Sequence, residues 1–331
     1  MSEETKVPLL RVEHLKKYYP VRGGLITHTI GQVHAVDDVS FTISAGETLG
    51  LVGESGCGKS TIGRQIAGLE KPTAGKVFYD GKEISAMTPA QLAPIRTQIQ
   101  MVFQDSYSAL NPRKRVFDIL AEPMCYHHLA DRRSADAKVD HLLEMVGLPK
   151  NAKERYPHEF SGGQRQRIGI ARALSLSPRL LILDEPVSAL DVSVQAQVLN
   201  LLRDLQKELG LAYLFIGHGL AAVDYISDRV AVMYLGKLEE IAPSSVLFRS
   251  PVHPYTRALL AAAPKPNPDT RAAYKAPLQG EVGSAIDPPA GCRFASRCPY
   301  AVESCRKAAP ALVSVGPGHF AACPVVTKEG V

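Results

Sequence analysis

No run of apolar residues in this 331-residue sequence approaches 18, so no segment is expected to cross a bilayer as a helix. The opening stretch, "MSEETKVPLL", is polar and acidic. It lacks the basic start and apolar run of a secretory leader, so a cytosolic setting is expected. Charge of one sign is not in excess. The net charge is +5 and is spread along the chain, which permits a nucleotide or membrane-surface partner and singles out neither. No segment repeats at a fixed period. Cysteine is scarce and uneven: Cys57 and Cys125 stand alone, whereas Cys292, Cys298, Cys305 and Cys323 crowd the last forty residues. In a reducing compartment disulfides between them are disfavoured.

What is present reads as ordinary globular protein, 45% hydrophobic and 21% charged, with length for about two domains. The first 250 residues alternate strand and helix signals, the α/β pattern. "VHAVDDVSFTI" (33–43) alternates like a half-buried strand. "TLGLVG" (48–53), "IQMVFQ" (99–104), "RLLILDE" (179–185) and "LAYLFIGH" (211–218) are short buried strands. Residues 192–210 carry Val194, Val198, Leu201, Leu202, Leu205 and Leu209 at helical spacing and stop at Gly210, a core-packing stripe. Residues 115–157 read as helices and loops with no strand. Residues 261–290, rich in Pro, Ala and Gly, read as an extended linker.

"GESGCGKST" (53–61) follows a buried strand and opens a helical pattern, matching G-x-x-x-x-G-K-[ST] in the strand–loop–helix setting it requires. Gly53, Gly56 and Gly58 let the backbone curl around phosphate. Lys59 supplies a cation for the β- and γ-phosphates, and Ser60 a hydroxyl for Mg²⁺. Cys57 is a small filler. "LLILDE" brings Asp184 to a strand end, where it can hold Mg²⁺, and sets Glu185 one residue on, placed to polarise an attacking water. A second anion-binding feature begins at "SGGQ" (161–164): Ser161 is a good N-cap, and a glycine-rich helix start gathers bare N–H groups.

Together and in order, these motifs resemble the ABC-transporter ATPases over roughly residues 8–250. "GESGCGKST" looks like the Walker A loop, with Gly53, Glu54, Ser55, Gly56, Cys57, Gly58, Lys59, Ser60 and Thr61 around the nucleotide. "LLILDE" looks like Walker B with catalytic Glu185, "FSGGQ" (160–164) like the signature, "SALD" (188–191) like the D-loop and "VFQ" (102–104) like the Q-loop. His218 sits where the family has its switch histidine, and Tyr19 matches the aromatic that stacks on adenine. The resemblance implies a P-loop fold of ABC type: a RecA-like core, an antiparallel β subdomain, and a helical subdomain at about 105–165. It also implies that Ser161, Gly162, Gly163 and Gln164 face the γ-phosphate held by another subunit's loop, with Arg155 as a candidate to join them. Gln104 would contact Mg²⁺ and link nucleotide state to the helical subdomain. One departure is visible: the family usually has Asp after the histidine and Ser or Thr before it, where this chain has Gly219 and Gly217.

The 57 residues from Gln104 to Ser161 are too few for the coiled-coil arms of chromosome-maintenance or repair ATPases, and no nucleic-acid partner is expected. "ALNPRKRV" (109–116), "PVSALDVS" (186–193) and "SPVHPYTRALLAAAP" (250–264) resemble the ATPase subunits of dipeptide and oligopeptide importers, most closely the second of the two such subunits. Importers of nickel, glutathione or opines share much of the pattern. The resemblance implies an ATP- and Mg²⁺-dependent ATPase on the cytoplasmic face of the inner membrane. It would pair with a homologous ATPase, two permease subunits and an extracytoplasmic binding protein. A soluble phosphotransferase or a non-transport ABC ATPase are the rival classes; "SGGQ" and "SALD" count against the first.

The expected organisation is a nucleotide-binding domain (1–260), a linker (261–290) and an extension (291–331). In the extension, C-x5-C-x6-C-x17-C leaves zinc, an iron–sulfur cluster and free thiols all open by spacing. The resemblance favours a [4Fe–4S] cluster on Cys292, Cys298, Cys305 and Cys323, because peptide-importer ATPases carry a similar cysteine set.

Overall fold

A computed structural model describes residues 7–23, 28–105, 109–262 and 283–325. Most of the expected linker, residues 263–282, lies outside them. Two sheets organise the chain. Strands β1 (Leu10–Gly23), β2 (His28–Ile43), β4 (Ala74–Tyr79) and β5 (Lys82–Glu83) form an antiparallel sheet in the order β2-β1-β4-β5. The second sheet has eight strands in the order β11-β12-β10-β9-β3-β8-β7-β6. Its centre is parallel: β3 (Thr48–Val52) lies between β9 (Arg229–Tyr234) and β8 (Ala212–Ile216), followed by β7 (Leu180–Asp184) and β6 (Ile99–Val102).

These central strands are largely apolar because both of their faces are covered. Alternation along a strand divides the core in two. Leu180 and Ile182 pack with Leu49, Leu51, Ile62, Val39 and Phe41 on the side of the antiparallel sheet. Leu181 and Leu183 face the opposite way, toward Ile168, Val198, Leu202 and Phe215.

The strandless stretch is helical, as expected. It holds α3 (Val116–Tyr126), α4 (Ala135–Met145) and two short 3-10 turns before α5 (Gly162–Leu174). Helix α6 (Val192–Leu209) ends at Gly210 in the left-handed conformation, φ 65°, the usual glycine stop. Its buried residues are Val198, Leu199, Leu202 and Leu205. Leu209, expected in the stripe, is 45% exposed, because it occupies the last turn beyond the covering strands. Strand β6 is also shorter than expected. It ends at Val102, so Gln104 lies in the following loop.

The extension is not a separate body. Strands β11 (Val313–Gly316) and β12 (His319–Ala321) form a hairpin, and β12 pairs with β10 (Lys237–Pro243), continuing the eight-stranded sheet. The described end of the expected linker also touches the core: Ile286 bridges to Val33 on β2. No helix among the described residues is long and apolar enough to cross a membrane.

Candidate nucleotide site

Strand β3 stops at Val52 and helix α1 (Lys59–Ile66) starts at Lys59. The six residues between them turn through three glycines of positive φ: Gly53 at 154°, Gly56 at 77° and Gly58 at 105°. Two of these positions leave no room for a side chain. A Cβ on Gly53 would fall 2.1 Å from the Met233 carbonyl oxygen, and one on Gly58 would fall 1.9 Å from that of Ala35. The glycines therefore answer steric demands of neighbouring strands as well as backbone conformation. Cys57 is buried behind the loop, as a filler would be. The Lys59 ammonium donates to the carbonyls of Gly53 and Glu54 at 2.8 and 2.9 Å, which places a buried cation inside the loop. Ser55 and Gly56 at its crest are exposed.

The Ser60 hydroxyl donates to Asp184 Oδ1 at 2.8 Å. Burial raises the Asp184 carboxyl, and the Ser60 hydrogen bond opposes that rise. A hydroxyl and a largely buried carboxylate beside a phosphate loop form a donor set of oxygens, which suits Mg²⁺. Glu185 follows in the left-handed region, φ 49°, which a non-glycine residue adopts only under constraint. Its N–H donates to the Ile216 carbonyl on β8. This twist turns the Glu185 carboxylate toward the loops after β6 and β8. Gln104 Nε2 donates to it at 2.7 Å, and His218 Nδ1 stands 3.3 Å away. Three residues far apart in sequence thus meet at one carboxylate.

Gly219 is the N-cap of α7 (Leu220–Ile226), and no side chain caps that helix. An aspartate there could have capped it. The His218 ring is 60% exposed.

Tyr19 lies near the end of the phosphate loop. Its hydroxyl donates to Glu70 and also approaches Thr61, and the Lys17 ammonium stands 5.1 Å from its ring centre. Tyr18 points to the other face of β1, stacked on His34 at 4.0 Å and donating to Asp37. Alternation of the strand therefore decides between the two adjacent tyrosines.

Helix α5 is opened by a full capping box. The Ser161 hydroxyl accepts from the Gln164 N–H, and Gln164 Oε1 accepts from the Ser161 N–H. Ser161 and Gln164 are exposed and Gly163 is buried. A Cβ on Gly163 would come within 2.3 Å of Val194 in α6. Arg155 turns toward its own neighbours, donating to the Glu159 carbonyl at 2.5 Å and stacking over Phe160 at 4.4 Å.

In the extension, the Cys292 N–H donates to the Cys305 carbonyl at 2.7 Å. Electrostatic interaction links Cys292 to Cys305 and Cys298, and Cys298 to Cys323 and Cys305, but among the described residues no three of these sulfurs lie within 4.8 Å of one another. Burial pushes Cys292 up to about 12, helped by the nearby Glu239 carboxylate.

A second grouping was not foreseen. Glu239, His253 and Cys292 have ligand atoms within 4.8 Å of one another. Burial raises Glu239 to about 8 and lowers His253 to about 4. His253 Nδ1 accepts from the Tyr255 N–H at 3.1 Å. Nε2 therefore carries the ring hydrogen and faces Glu239 at 3.3 Å. That tautomer sets an N–H close to a buried carboxyl and leaves no lone pair on Nε2 for a metal. The sequence signal for this pair was "HPY" (253–255) itself. The partner carboxylate carried none, since residue type does not distinguish Glu239 from its neighbour Glu240 on the same strand.

A glycine-built phosphate loop with two acidic residues at the end of a nearby strand defines a P-loop ATPase. Comparison with known proteins narrows the class. Residues 36–188 match the family model described as ABC transporter, and residues 240–305 match that described as oligopeptide/dipeptide transporter, C-terminal region. A probable peptide ABC transporter ATP-binding protein of Sinorhizobium fredii is 53% identical over 96% of this chain and 90% of its own length. The oligopeptide transport ATP-binding protein AppF of Bacillus subtilis is 50% identical over 98% of this chain and 99% of its own. Among solved structures, a dimeric post-hydrolysis state of the ATP-binding cassette MJ0796 bound to ADP and Pi is similar with a TM-score of 0.64. That match has 26% identity and covers 71% of this chain and 98% of that one. The chain belongs to the ATP-binding proteins of ABC transporters, and its activity is ATP hydrolysis.

Proposed function

We propose that this chain is the ATPase of a peptide importer and works in a head-to-tail pair with a homologous subunit, each ATP lying between the two. The observation that carries the reading is the division of phosphate-binding features. Lys59 and the three-glycine loop form one half-site, while Ser161, Gly162, Gly163 and Gln164 form a second anion-attracting helix start, of which Ser161 and Gln164 are exposed. A helix start of this kind stabilises phosphate charge through its dipole and through the N–H groups that the capping box leaves over. A partly exposed one supplies what a partner's loop lacks. The dimeric state and bound ADP and Pi of the MJ0796 cassette support the same arrangement.

In this reading Tyr19 stacks on adenine, and the loop from Gly53 to Thr61 holds the phosphates, with Lys59 neutralising the β- and γ-phosphates. Ser60, Asp184 and Gln104 would hold Mg²⁺, which supplies charge neutralisation on the same phosphates. Glu185 orients the attacking water, and His218 and Gln104 hold Glu185 in register. Arg155 exchanges its contact with Glu159 for the partner's nucleotide. An open groove beside Gln104, lined by Leu69, Phe103, Asn111 and Tyr126 among others, seats a permease segment, so closure of the pair moves the membrane subunits. Peptide as cargo rests on the relatives' names and on the match of residues 240–305. The four extension cysteines fit a [4Fe–4S] cluster by donor number and type. Its role would be to pin the extension.

The test is Glu185→Gln in the purified importer. Mg-ATP binding should be retained while turnover falls on the order of a hundredfold or more. A variant that hydrolyses ATP at the parental rate would place the base elsewhere.

A further inference from the structure

The extension reaches the phosphate loop itself. Arg297 Nη1 lies 3.1 Å from both carboxylate oxygens of Glu54 and 3.1 Å from the Tyr234 hydroxyl. The arginine side chain is only 5% exposed and that of Glu54 23%. The Glu54 N–H donates to the Tyr255 hydroxyl at 3.0 Å, and its carbonyl accepts from Lys59. Glu54 is thus gripped at three points, one of them from a segment more than 240 residues away. A second arm lies beside it. Arg293 pairs with Asp37 and donates to the Leu235 carbonyl. The adjacent Gly236 N–H donates to the Cys57 carbonyl of the loop at 2.9 Å.

Glu54 poses an electrostatic problem. It is a carboxylate in the second position of a loop that gathers polyphosphate, where a free negative charge opposes the ligand. Arg297 is buried against it and cancels that charge. We propose that Arg297 is a positioning residue for ATP: it neutralises Glu54 and holds the loop in its phosphate-binding shape. Because Arg297 precedes Cys298 and Arg293 follows Cys292, the cysteine unit sets where both arginines stand. The extension is thereby a brace on the nucleotide site.

The inference rests on ATP occupying this loop. It is tested on the full chain by titration with Mg-ATP. Arg297→Ala should weaken binding on the order of fivefold or more, the scale of a typical coupling between sites. Adding Glu54→Gln to that variant should restore most of the affinity, since the uncompensated charge is gone. A purely structural arginine would show no such rescue. Arg297→Gln, of similar length and uncharged, serves if the alanine variant does not fold, with the same loss and rescue expected. Parental affinity in either arginine variant, or no recovery on adding Glu54→Gln, overturns the brace. Failure of the parental chain to bind Mg-ATP would instead overturn the nucleotide reading beneath it.

Discussion

Glu185 shows how much a single residue depends on its surroundings. The run "LLILDE" is readable as a buried strand ending in two carboxylates, because four consecutive apolar positions followed by two acidic ones leave few alternatives. The left-handed φ of 49° at Glu185 is not readable, since nothing in the residue type requests it. It follows from the bond its N–H makes to Ile216 on the next strand. Ser161 is the opposite case. Serine before a glycine-rich helix start reads as an N-cap, and the structure shows it as one, with Gln164 completing a capping box. Ser161→Ala should lower stability by about 1 kcal/mol, the usual worth of an N-cap, measured as a shift in denaturant midpoint. The same variant should slow ATP turnover by more than that loss explains, because in the proposed pair the hydroxyl also belongs to the helix tip that faces a partner's phosphate. Turnover at the parental rate would confine Ser161 to capping.

At the scale of elements, strands were easier to read than their ends. β6 was expected to run to Gln104 and stops at Val102. The two final residues lose their neighbour when the chain leaves the sheet for the helical region. The stripe on α6 was legible from spacing at Val198, Leu202 and Leu205. Leu199 was missed and Leu209 overcounted, because spacing gives a face but not how far the neighbouring strands cover it. The helix stop was legible in Gly210. A Cβ there would meet nothing within 4 Å, so Gly210→Ala isolates the cost of a left-handed alanine. That cost should be about 1 kcal/mol, read from the denaturant midpoint at an unchanged slope. A loss several times larger would mean that the segment from Gly210 to β8 has shifted as well.

At the scale of the whole molecule, the extension is stitched to the nucleotide domain by a shared sheet, by two buried arginines and by Phe294, which packs among Tyr234 and Tyr255. The proposed cluster acts at this scale, since it would lock four positions spread from 292 to 323. Anaerobically purified protein should show a broad visible absorbance with about four irons per chain, and Cys305→Ser should bleach it. A colourless, iron-free parental preparation would leave the thiols as simple packing. By itself the sequence determined the phosphate loop, the paired carboxylates, the capped helix tip and the α/β order of strands and helices. Each of these is a local matter of residue type and short spacing, governed by backbone sterics and hydrophobic alternation. Only the tertiary structure decided which of Tyr18 and Tyr19 faces the loop, that Gln104 and His218 converge on Glu185, and that Arg297 lies against Glu54. Those are contacts between distant segments, and the sheet order that creates them is set by burial summed over the whole core, which no short stretch of sequence contains.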